Sequence, residues 1–146
     1  MKIEKGNILH YIGKCDIVCV TTNGIVKSNG ELVMGAGCAL EFKKKFPYLP
    51  KELGKKVKEK GNRPLVGGKI KDTYIVSFPT KHHYSANSDL ELIKESAKML
   101  VQISDFYNAE SIYIPSPGTG LGNLSKDDVY NALEQILDNR FTILEL

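Results

Sequence analysis

Residues 111–124 read SIYIPSPGTGLGNL, a short apolar run followed by three glycines in five positions. The run IYIP at 112–115 is β-branched and aromatic, which suits a strand buried on both faces of a sheet. Gly118, Gly120 and Gly122 then allow the backbone to come close to a ligand with no Cβ in the way. Successive N–H groups in such a loop make a concave anion site. A second junction of this kind lies upstream. DIVCVTT at 16–22 runs into Asn23-Gly24, and residues 30–46, GELVMGAGCALEFKKKF, place Gly35 and Gly37 at a helix entry. The dipole of a helix N-terminus favours an anion there. Two such loops, each behind a strand, point to one cleft for a ligand with two phosphates. A nucleoside-diphosphate compound is a better first expectation than a protein or a sugar.

The rest of the chain fits around these two junctions. YIVSF at 74–78 and the C-terminal FTILEL read as further strands, KIEKGNIL at the start could supply another, and KIKDTY at 69–74 could pair with its successor as a hairpin. Gly37 to Phe46 reads as a helix with Ala39, Phe42 and Phe46 on one face, stopped by Pro47. A lysine-rich helix is expected from Pro50 to Lys60, ended by Gly61 and Asn62. Ser88-Asp89-Leu90-Glu91 reads as a capping box with Ser88 as N-cap, opening a long helix with Leu90, Ile93, Ala97, Leu100 and Val101 as its apolar stripe. Ser125 is the expected N-cap of a last helix carrying Val129, Leu133, Ile136 and Leu137. Strands alternating with helices predict a three-layer α/β/α sandwich, with helices on both faces of a parallel or mixed sheet, as one domain over residues 1–146. Ligands of open α/β sheets bind beyond the carboxyl ends of the strands, where both glycine-rich loops fall.

Composition excludes several classes. The chain has 146 residues, 42% hydrophobic and 25% charged, with no apolar run near the ~18 residues needed to cross a bilayer. No signal peptide is read at the N-terminus. Three cysteines (Cys15, Cys19, Cys38) without a CxxC spacing predict neither a disulfide nor a zinc site, as expected for a reducing cytoplasm. The net charge of +3 is short of a nucleic-acid footprint. Lysines cluster at 43–45 and across 51–60; a solvated helix face is the ordinary reading, a rim that tracks phosphates the sharper one.

The candidate site residues also have ordinary readings. GTGLG lacks the Lys-Ser/Thr ending of a Walker loop. Asn23 could be a turn residue of an Asn-Gly pair or a ligand for hydroxyls through its amide. Lys81 is by default a surface lysine at a strand end. His82 and His83 are adjacent, so on an extended chain they point in different directions, and one could serve as an acid or base.

Taken in order, these segments resemble a macro domain, the ADP-ribose-binding α/β/α module, over most of the chain. GNIL at 6–9, DIVCVTTNG at 16–24, VMGAGCALEFKKKFP at 33–47 and SPGTGLGNL at 116–124 carry the resemblance. VMGAG…FKKKFP and FPTKHHY at 78–84 look most like the antitoxin-type branch, which removes ADP-ribose from DNA bases. The resemblance implies that Asn7 lies at the adenine, that Ile8 is among the ligand-binding residues, and that Asn23 lies at the distal ribose. It implies that Gly35, Ala36, Gly37 and Cys38 offer backbone N–H groups, and that Ser116, Gly118, Thr119, Gly120, Leu121 and Gly122 wrap the diphosphate. Lys81 is implied as the catalytic residue, as a nucleophile toward the distal anomeric carbon or as a charge stabilising the leaving group.

Three departures bear on activity. Asn7 stands where the family has an adenine-binding aspartate, so charge-assisted binding is lost there. Gly122-Asn123 stands where the ester-hydrolysing branch has its aspartate, and residues 23–33 contain no histidine of the phosphatase type. The expected activity is therefore an ADP-ribosyl hydrolase acting on a modified target such as a nucleic-acid base, with no cofactor, no metal and no membrane partner, as a cytoplasmic monomer. The alternatives are a binding-only module and an ADP-ribose 1″-phosphate phosphatase.

Overall fold

The computed structural model describes residues 1–146. Strands β1 (Lys2–Lys5), β2 (Ile17–Thr22), β3 (Val66–Ile70), β4 (Thr73–Pro79), β5 (Ile112–Pro115) and β6 (Phe141–Glu145) form one sheet in the order β1-β6-β5-β2-β4-β3. Every pairing is parallel except the β3–β4 hairpin. Helices α1 (Gly37–Lys45), α2 (Leu49–Lys60), α3 (Leu90–Phe106) and α4 (Lys126–Glu134) cover the two faces, and Ile8–Tyr11 form a short 3₁₀ helix.

Strand β2 explains why the chain needs two helical layers. Ile17 and Cys19 pack into one core with Ile93, Ala97 and Leu100 of α3 and Val129 and Leu133 of α4. Val18 and Val20 pack into the other with Phe42 of α1 and Leu49 and Leu53 of α2. All four β2 residues are fully buried, so the run is apolar without alternation. The result is the expected α/β/α sandwich. Truncating Phe42 to Ala would cost about 3–5 kcal/mol through the cavity left between α1 and the sheet.

Details differ from the sequence reading where tertiary contacts intervene. The N-terminal strand is only β1, an edge strand with every residue exposed, before Asn7 turns the chain into the 3₁₀ helix. The hairpin turn is Lys71-Asp72, with φ of 49° and 67°, a two-residue reversal of the type I′ kind. Its first strand starts at Val66. A Cβ on Gly67 would lie 2.6 Å from Leu49 Cδ1, so glycine in a strand here admits α2 onto the sheet. The α3 N-cap is Asp89, which accepts from Glu91 N at 2.9 Å, and not Ser88. The Ser88 side chain caps nothing, and its backbone N–H donates to the Gly122 carbonyl at 3.0 Å. Ser125 caps α4 as expected, but the helix ends at Glu134, before Ile136 and Leu137. No helix is long and apolar enough to cross a membrane.

Candidate ligand-binding cavity

A cavity of about 900 Å³ opens at the carboxyl ends of the parallel strands. It runs from Leu144–Leu146 at β6, past Pro115 and Ser116 at β5 and Thr21–Asn23 at β2, to Thr80 and Lys81 at β4. Three interstrand steps of about 4.8 Å give it a span of about 14 Å across the sheet. Both glycine-rich segments border it. Gly35, Ala36, Gly37 and Cys38 come from the first, and Ser116, Gly118, Thr119, Gly120, Leu121 and Gly122 from the second.

The first segment ends in the N-terminus of α1. Ala36 occupies the N-cap and its side chain caps nothing, whereas α3 and α4 carry Asp89 and Ser125. The first N–H groups of α1 therefore face the cavity without a capping side chain, together with the positive end of the dipole. Lys43, Lys44 and Lys45 sit in the last turn of α1, at the far end of the helix, where they complement its negative end. Cys38 lines the cavity, but burial pushes its thiol up to about 11, so it is neutral near pH 7.

The side chains at the loop roots are already engaged. Asn23 is 8% exposed; its Nδ2 donates to Val33 O and its Oδ1 accepts from Ile25 N, both at 2.9 Å. One N–H and one lone pair remain free for a further partner. Ser116 Oγ lies 2.9 Å from Thr119 Oγ1 and 2.8 Å from the Tyr130 hydroxyl, which donates to Glu145. Burial, then the bond to Glu145, push the Tyr130 phenol up to about 12. Lys126, with Tyr130, holds the Glu145 carboxyl below the ordinary range.

The family profile of the Macro domain matches residues 27–133. This chain belongs to the macro domain family. It is 31% identical over 129 residues to the DNA ADP-ribosyl glycohydrolase of Mycobacterium tuberculosis, a match covering 83% of this chain and 36% of that protein. The chain thus spans well under half the length of that curated relative. Among solved structures, the macrodomain of Thermus aquaticus DarG superposes with a TM-score of 0.79 at 28% identity, covering 99% of this chain and 97% of that one. Thermosipho africanus DarTG in complex with ADP-ribose shares the fold, with a TM-score of 0.79 at 22% identity, covering all of this chain and 42% of that one.

Within this macro domain, the cavity gathers Asn23, Lys81 and both glycine loops, but not Asn7 or Ile8. The Asn7 side chain accepts from Leu9 N at 3.0 Å as the cap of the 3₁₀ helix. Ile8 is buried against the α1–α2 side of the sheet. Both stand near the β1–β6 end, where Lys5 borders the cavity. Lys81, at the opposite end, has no carboxylate within ion-pairing distance, whereas Lys126 pairs with Glu145 at 2.7 Å. Neither His82 nor His83 lines the cavity. His82 Nε2 lies 2.8 Å from Asp89 Oδ2, a contact that holds the Asp89 carboxyl below its usual range.

Sequence reasoning passed over Asn62, which it read only as a helix terminator. Its Nδ2 donates to the Lys81 carbonyl at 3.0 Å, and a Cβ on Gly24 would lie 2.9 Å from its Cγ. Asn62 thus joins the first loop to the lysine-bearing segment. The signal was weak because a 19-residue separation hides the contact. Tyr84, Thr80 and Ser88 also border the cavity; Ser88 Oγ is buried without a partner beside Gly122.

Proposed function

We propose that this macro domain binds ADP-ribose across the cavity and hydrolyses the bond between ADP-ribose and a DNA base. The carrying observation is that Lys81, free of any carboxylate, borders the same cavity as the uncapped α1 N-terminus and the second glycine loop. In this reading the diphosphate lies between those two elements, where backbone N–H groups and the helix dipole favour it. The adenosine extends toward β1 and β6, with Asn7 and Ile8 nearby. The distal ribose lies toward β4, against Asn23. The relative from Mycobacterium tuberculosis, named a DNA ADP-ribosyl glycohydrolase, supports the choice of linkage.

Lys81 then meets the anomeric carbon. As a nucleophile, its neutral amine bonds to that carbon while the ring C–O bond breaks and the ring oxygen takes one proton from the lysine nitrogen. The bond to the base then breaks, the base leaves with the second proton of that nitrogen, and an imine forms. Water next hydrolyses the imine, releasing ADP-ribose and the free amine. As a cation, Lys81 would instead stabilise the charge on the departing base. Borohydride added during turnover separates the two roles, because only the imine is reduced to a stable adduct on Lys81.

The test is release of ADP-ribose from an oligodeoxynucleotide modified on a base. Wild type is expected to release it and Lys81→Ala to lose turnover while still binding ADP-ribose by calorimetry. Equal release by both proteins overturns the assignment. One observation favours the binding-only reading: Glu145 is the sole carboxylate side chain lining the cavity, and it is tied to Lys126 and Tyr130, so the lining offers Lys81 no free carboxylate side chain as a base. ADP-ribose binding without turnover of any substrate would support that reading. No histidine lines the cavity, so nothing in the lining favours the phosphatase.

A further inference from the structure

The segment from Thr80 to Asp89 carries Lys81, yet most of its construction serves something beyond that residue. Its ends are tied, since Asp89 N donates to the Thr80 carbonyl at 2.9 Å, making a closed Ω-type loop. It is anchored to the neighbouring loops as well. Gly24 N donates to His82 O, Ser88 N donates to Gly122 O, and Asn123 Nδ2 donates to Asn87 Oδ1 at 3.0 Å. At the tip between these anchors, the His83 and Tyr84 rings overlap with centroids 4.2 Å apart and planes 31° from parallel. The Ser85 N–H donates to His83 Nδ1 at 3.1 Å, and Ala86 N closes the turn onto His83 O at 3.1 Å. The pair is therefore preorganised rather than a loose aromatic tip.

Tyr84 remains 52% exposed although His83 covers one of its faces, and it borders the cavity next to Lys81. A single exposed tyrosine would mean little. This one packs on a hydrogen-bonded His83, at the end of the cavity where the group attached to the distal ribose must leave. A flat π face suits a flat nucleobase, and stacking of this kind tolerates any base. The charge nearby suits a nucleic acid as well. Arg63, next in the chain to the Asn62 that bonds the Lys81 carbonyl, is exposed and forms no ion pair, and the Asp89 carboxylate at the end of the loop is paired with His82.

We propose that the His83–Tyr84 pair is a stacking platform for a nucleobase on the acceptor side, so that the macro domain grips DNA-linked ADP-ribose more tightly than free ADP-ribose. This rests on reading the cavity as the ADP-ribose site, with the distal ribose at Lys81. The platform makes the acceptor part of the recognised ligand, and it gives no comparable contact to an acceptor lacking an aromatic ring.

The test uses the Lys81→Ala chain, so that binding is read without turnover. Its ligands are free ADP-ribose and a five-nucleotide oligodeoxynucleotide carrying base-linked ADP-ribose. Adding Tyr84→Ala is expected to weaken the oligonucleotide about 10-fold, as for loss of one base–aromatic stack, and to leave free ADP-ribose within about twofold. Adding Tyr84→Phe instead is expected to keep both affinities, since the ring remains. Equal losses for both ligands, or none for either, overturn the platform. Failure of the Lys81→Ala chain with Tyr84 intact to bind free ADP-ribose would overturn the cavity reading instead. Binding of free ADP-ribose with no gain for the oligonucleotide would overturn the platform alone.

Discussion

The two glycine-rich loops look alike in sequence and are built for different reasons. In the second, Gly118 (φ 74°) and Gly122 are pressed into protein. A Cβ on Gly118 would lie 2.8 Å from Ile93 Cδ1, and one on Gly122 would lie 2.1 Å from Ser88 Oγ and 2.7 Å from the Gly118 carbonyl. These glycines let the loop close onto the start of α3. In the first loop, Gly35 has nothing within 4 Å of where its Cβ would be, and Gly120 in the second is equally open. Neither has the positive φ that favours glycine, and both border the cavity. The chain's own packing does not require glycine at those two positions. What remains is room for something that the cavity takes in. The first loop is held by the Asn23 amide and a bridge between Val26 and Leu32, leaving Gly35 free of structural duty.

This contrast can be broken most sharply at Gly122. Gly122→Ala is expected to destabilise the protein by about 3 kcal/mol, because backbone as well as Ser88 must move; urea denaturation measures it. A loss under about 0.5 kcal/mol would mean the loop yields easily. Gly35→Ala and Gly120→Ala are expected to leave stability within about 0.5 kcal/mol while weakening ADP-ribose about 10-fold in calorimetry, near 1.4 kcal/mol. Unchanged affinity would remove the ligand-side reason for these glycines.

Smaller effects test what ties the loops to Lys81. Asn62→Ala removes the hydrogen bond to the Lys81 carbonyl and is expected to lower turnover about fivefold, for a bond of about 1 kcal/mol. ADP-ribose affinity should hold within about twofold, and the change should add nothing to Lys81→Ala. A loss of affinity matching the loss of turnover would make Asn62 a support for the first loop alone. The smallest effect is a pH dependence at the other anchor, α3. The Asp89 carboxyl is held low by His82, so its folded value lies below the unfolded one. Its stabilisation is complete above the unfolded value of about 3.9 and is lost as pH falls through the folded value. The stability gap between wild type and Asp89→Asn should therefore be widest near neutral pH and close in acid, as read by urea denaturation at stepped pH. A gap that stays constant across that range would assign Asp89 to capping through geometry alone.

Much of the fold was legible because local pattern and burial coincide. Ile17–Val20 of β2 are apolar without alternation since both faces of the sheet are covered, and IYIP marks β5 within its bounds. Gly61 at φ 89° ends α2 where a residue of that kind was expected. The capping box misled because Ser88 and Asp89 are both capping residue types, and it is the Asp89 carboxylate that takes the Glu91 N–H. The start of β3 was hidden because Gly67 and Gly68 have poor strand propensity, and the side chains that need them to be small come from α2 and from Tyr48 just before it.

By itself, the sequence determined the alternation of strands and helices and the position of two glycine-rich turns behind strands, because periodicity and glycine content are local properties. Only the tertiary structure decided which glycines face protein and which face open space, that Asn62 reaches the Lys81 backbone, and that His83 and Tyr84 form one fixed surface beside the cavity. The glycine environments, the Asn62 contact and the placing of the His83–Tyr84 pair beside the cavity depend on which residues far apart in the chain become neighbours, and that is set by how six strands order themselves in a sheet.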